Sequence, residues 1–183
     1  MESVMRFNNF YKSIFALIFL VFASCGSMKK TGDDLVSDAQ EAKSTIEQNY
    51  PEMSDHFNDA AGYAIFPNVG KGAYVIGGAS GNGAVYENGN LIGYGDLKQV
   101  DVGLQIGGKA FIEVLFFETQ EALDDFKNGS YELSANASAI VLDEGASRNI
   151  NFADGVAVVT MPKEGAMAGV SVGGQRFDFQ PVQ

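Results

Sequence analysis

The chain has 183 residues, of which 23 are acidic and 12 basic, for a formal net charge of −11 and a pI near 4.4. That balance excludes a general nucleic-acid binder, which needs clustered Lys and Arg to neutralise phosphates. Hydrophobic residues at 46% and charged residues at 19% exclude a disordered chain, and a single cysteine excludes an internal disulfide or a multi-thiolate metal site.

Arg6 and Lys12 precede Ile14 to Ala23, an unbroken apolar run. As a helix it would extend about 15 Å, roughly half a bilayer core, so it is too short to span. It reads as the hydrophobic part of a secretory signal over residues 1–24. Ala23-Ser24-Cys25-Gly26 resembles a bacterial lipobox, which makes Cys25 the acylated N-terminus, against the plainer alternative of an incidental thiol. Acyl chains contribute about 0.8 kcal/mol per buried methylene, so several together form a permanent anchor. The expected location is the bacterial cell envelope, and Gly26 in place of an aspartate favours the outer membrane. Residues 25–34 are short and polar, a flexible spacer, and 35–183 form one domain.

Within that domain Leu35, Val36, Ala39, Ala42 and Ile46 recur at spacings of three and four, which predicts an amphipathic helix ending near Asn49. Tyr50-Pro51 breaks the chain, and Pro51 suits the first turn of a second helix with apolar positions Met53, Phe57 and Ala60. From Gly62 the pattern becomes that of short strands bounded by glycine or Pro67-Asn68: Tyr63 to Phe66, then Ala73 to Ile76. Asn88-Gly89 between Ala84–Glu87 and Asn90–Tyr94 is a strong hairpin signal. Val100 to Ile106 alternates, and Ala110 to Phe117 is nearly all apolar, a strand buried on both faces. Thr119 caps a helix with inner positions Ala122, Leu123 and Phe126, stopped by Asn128-Gly129. Leu133–Leu142, Gly155–Met161, Ala166–Val172 and Gln175–Phe179 complete the predicted strands. The expected fold is α+β: a curved or barrel-like, mainly antiparallel sheet with two N-terminal helices and one internal helix. Gly77, Gly107 and Gly169 are candidate structural glycines, where a β-carbon would clash.

Catalytic chemistry has no visible constellation. His56 is the one histidine and sits in a predicted helix, where a packed or solvated ring explains it as well as a general base does. Asp124-Asp125 and Asp143-Glu144 lack the alternating oxygen ligands of a calcium loop. Gly70-Lys71 lacks the upstream glycine of a phosphate-binding loop, and the Ser or Thr that should follow. No cofactor and no metal are expected.

Ala-Gly-Tyr-Ala-Ile-Phe-Pro-Asn-Val-Gly-Lys-Gly from Ala61 to Gly72 resembles the opening signature of the SYLF domain family. Ile76-Gly77-Gly78 with Gly81 and Gly83, Gly103 to Gly108, Asn136-Ala137-Ser138 and Gly165 to Val172 continue the likeness in order. Where many members have Trp-Ser after the hairpin, this chain has Tyr94-Gly95. The resemblance implies a non-enzymatic domain that associates with membrane lipid. Actin, a partner of some eukaryotic members, is not carried over to an envelope lipoprotein. Lys71 matches the family's lysine and is a candidate headgroup contact, its alternative being a solvated turn lysine. Tyr74 beside it and Leu35 on the first helix are the other candidate lipid contacts, and that helix could pack on the sheet or lie on a membrane. The rival expectation is a periplasmic scaffold or protein-interaction lipoprotein whose folded domain binds no lipid.

Overall fold

A computed structural model describes residues 32–182, apart from 73–75, 103–108, 135–136, 138, 143–149 and 164–171; of 71–72, 76–77, 100–102 and 109 it describes the backbone alone. The signal segment, Cys25, Tyr74, Gly107, Gly169 and most of the strand expected at 166–172 lie outside the described residues.

Helix α1 (Gly32–Asn49) begins within the segment read as spacer, ahead of Leu35. Asp33 and Asp34 occupy its first turn, where negative charge complements the positive end of the helix dipole. Its buried positions are Leu35, Ala39, Ala42 and Ile46, the expected apolar face. Helix α2 (Met53–Asp59) buries Met53 and Phe57; Glu52 holds its N-cap, so Pro51 stands ahead of the first turn rather than in it.

Eight strands follow: β1 (Gly62–Gly72), β2 (Ile76–Glu87), β3 (Asn90–Val102), β4 (Lys109–Phe117), β5 (Ser130–Glu132), β6 (Ala139–Val141), β7 (Val156–Pro162) and β8 (Arg176–Pro181), with helix α3 (Gln120–Lys127) between β4 and β5. They form one curved sheet, a half-barrel, in the order β5-β8-β3-β2-β1-β4-β7-β6. All pairs are antiparallel except β6 with β7. The fold class is therefore the expected one.

Local differences from the sequence reading have physical causes. Pro67 does not end β1. It has no N–H to donate, and the strand continues past it with its pairing to β4 shifted between Phe66 and Val69, as at a bulge. The segment 133–142 is not one strand: within it only Ala139–Val141 forms a strand, β6, which pairs with β7, while β5 ends before it at Glu132. The hairpin is as expected, with Asn88 at φ 50° and Gly89 at φ 76°, the left-handed geometry its tight turn requires. Gly83 in β2 is a true close approach, because a β-carbon there would stand 2.7 Å from the Ile65 carbonyl oxygen.

Alternation sorts the core onto the two faces of the sheet. Tyr63, Ile65, Ile112, Val114, Phe116, Ala157 and Val159 meet α1 and α2 on one face. Ala64, Phe66, Phe111, Leu115, Phe117 and Val158 meet α3 and Phe177 on the other. The rings of Phe66 on β1 and Phe177 on β8, three places apart in the sheet, lie 5.4 Å centroid to centroid. Such a contact is possible only across the concave side, so the second face is the concave one and α1 with α2 cover the convex one. Residues Phe111 to Phe117 are all buried, as a strand covered on both faces demands.

Candidate functional site

Leu35 is 8% exposed in the row that α1 presents to the convex face. The first helix thus packs on the sheet. Lys71 lies near the end of β1, directly opposite Ala79 on β2 and Lys109 on β4. The Lys163 amide, just beyond β7, donates to the carbonyl of Ala110 at 3.2 Å. Three lysines distant in sequence therefore share one end of the sheet in an acidic protein. Gly77 pairs with Asp101 in the same region.

The concave face holds a second group that sequence reasoning missed. Glu113, Thr160 and Gln175 are fully buried and Gln99 is 4% exposed. Glu113 and Thr160 are direct cross-strand partners on β4 and β7. The Gln175 amide donates from Nε2 to Glu113 Oε2 at 3.0 Å and to Gln99 Oε1 at 3.4 Å, and Gln99 Nε2 donates to the Gly173 carbonyl at 3.4 Å. The carboxylate fixes the amide's orientation, since an acceptor turned toward it would repel. Gln175 Oε1 then faces away, and neither it nor Thr160 Oγ1 has a hydrogen-bond partner among the described residues. The available signal was Glu113 itself, an acid inside an otherwise apolar run. The glutamines carried none, because the pairing of β8 with β3 sets them side by side from 76 residues apart in sequence.

His56 is half-buried on α2 with its ring 6.1 Å from that of Phe116, a packing role. Asp124 and Lys127 pair at 2.7 Å on α3; this bond, with a second from Gln120, holds the Asp124 carboxyl below its usual range. Among the described residues no cluster of His, Cys, Asp and Glu could hold a metal, and no helix is long and apolar enough to cross a membrane.

Residues 98–181 match the family described as Ysc84, Las17-binding protein actin regulator. The matched stretch runs from within β3 to the end of β8 and contains all four buried polar residues. It supports membership of the SYLF family. No curated protein matches the chain.

Proposed function

We propose that this protein is a non-enzymatic, lipid-associating domain of the bacterial cell envelope, anchored in the outer membrane through acylated Cys25. The observation that carries the lipid reading is the SYLF family match, and the gathering of Lys71, Lys109 and Lys163 at one end of the sheet supports a headgroup contact there. The apolar face of α1 is occupied by the sheet, so lipid contact falls to Lys71 and its neighbour Tyr74 rather than to Leu35. Las17 and actin belong to the matched family's description and have no counterpart for a protein outside the bacterial cytoplasm.

Flotation with liposomes tests the reading, using the chain from Gly26 onward so that no acyl group contributes. Binding to anionic vesicles, weakened severalfold by Lys71→Glu, is the expected result. A domain that stays in the soluble fraction over neutral and anionic vesicles alike would make the protein a scaffold whose acyl chains do all the membrane work.

A further inference from the structure

A domain that associates with lipid needs apolar surface, and the closed fold shows little: among the described residues Val182, 40% exposed, is the one large hydrophobic side chain in the open. Val182 ends the segment that runs from Val172 through β8, its amide donating to the Ile92 carbonyl at 3.1 Å. This segment is itself a wall of the concave face, its β8 paired with β3 from Gly93↔Pro181 to Lys98↔Arg176. Its Val172, Gln175 and Phe177 are fully buried, Phe177 against Phe66 and Phe126. On its outer side the short β5 pairs with it through Ser130, Tyr131 and Glu132, and Leu133 exchanges backbone hydrogen bonds with Gly174 and Gln175.

Its hold on the far wall is the buried polar group. In the closed state Gln175 Oε1 and Thr160 Oγ1 are buried without hydrogen-bond partners among the described residues. Lifting the segment returns both to water. Each such oxygen therefore raises the opening constant about fivefold or more, partly offsetting the apolar contacts and the β3 ladder that are lost. We propose that residues 172–182 form a detachable strap, whose opening bares Phe66, Phe126 and Phe177 to the acyl chains of a bilayer. The proposal rests on the lipid-associating reading for its occupant and on the polar group for its mechanism.

Hydrogen exchange and flotation, both on the chain from Gly26 onward, test the two parts separately. Thr160→Val keeps the side chain's shape and removes one enclosed oxygen, so exchange of peptides within 172–182 slows about fivefold or more while that of β1 and β4 is unchanged. Gln175→Ala removes the link to Glu113, and the same peptides exchange about tenfold faster. Flotation follows the same order, weakest for Thr160→Val and strongest for Gln175→Ala. Unchanged or faster exchange in Thr160→Val overturns the strap, showing that the oxygens are served within the closed state. Exchange that shifts as expected while flotation does not follow overturns its role in lipid contact. If wild type itself fails to float, the lipid reading falls, and the exchange rates still decide whether the strap opens.

Discussion

Tyr63 shows how the convex face sets a pH limit. Its ring stacks on Tyr86 at 5.1 Å and meets the edge of Phe57. Burial first, then Tyr86 and Glu47, push its phenol up to about 12. Burial also raises Tyr86, with Tyr94 adding to it, and raises Tyr131, with Asp154 and Asp125 adding to it. Each folded pKa lies above the unfolded value of about 10, so between the two the native state binds more protons than the unfolded chain. Stability is therefore fully present below pH 10 and lost as pH climbs toward 12. Denaturant midpoints measured from pH 9 to 12 should fall steadily, and Tyr63→Phe should flatten that fall without abolishing it.

At the scale of elements, the two ends of α3 are set by side chains. Thr119 has extended backbone and its hydroxyl accepts from the Ala122 amide at 3.2 Å, satisfying one of the donors a helix start leaves open. At the other end Lys127 pairs with Asp124 and with Glu87 of β2. The helix places Leu123 and Phe126 over the end of the concave face, so a frayed first turn would loosen that core. Thr119→Ala should cost about 1 kcal/mol in denaturant unfolding, with Thr119→Ser restoring most of it. Helix α1 depends instead on its tertiary seat. A charge at Leu35, near the rim of the covered face, should lower the melting temperature, and this is how Leu35→Asp is told apart from a loss of lipid contact.

For the molecule as a whole, the proposed anchor can be tested apart from the fold. The lipobox-like stretch lies within Ala23 to Gly26, whereas the described domain begins with α1 at Gly32. Labelling a bacterial host with a fatty-acid analogue should mark the wild type and leave Cys25→Ala unlabelled. Equal label in both would remove the anchor while leaving the folded domain as described. Glu121, Asp125 and Asp154 are among the exposed acids, and a surface of that sign repels anionic headgroups wherever lysines do not collect.

The sequence by itself determined several features governed by near neighbours. The apolar row of α1, the Asn88-Gly89 turn, the Thr119 cap and the doubly buried β4 are all written in short-range spacing, because helix and strand periods act over a few residues. It could not show that Pro67 would be carried through β1 by a bulge, nor that of 133–142 only Ala139–Val141 would pair as a strand, since both depend on which strands lie alongside. The lysine group at the sheet end and the Glu113–Gln175–Gln99 chain belong to the tertiary structure alone. Their members are separated by up to 92 and 76 residues in sequence, and only strand order and curvature, set by the burial of two faces at once, bring them together.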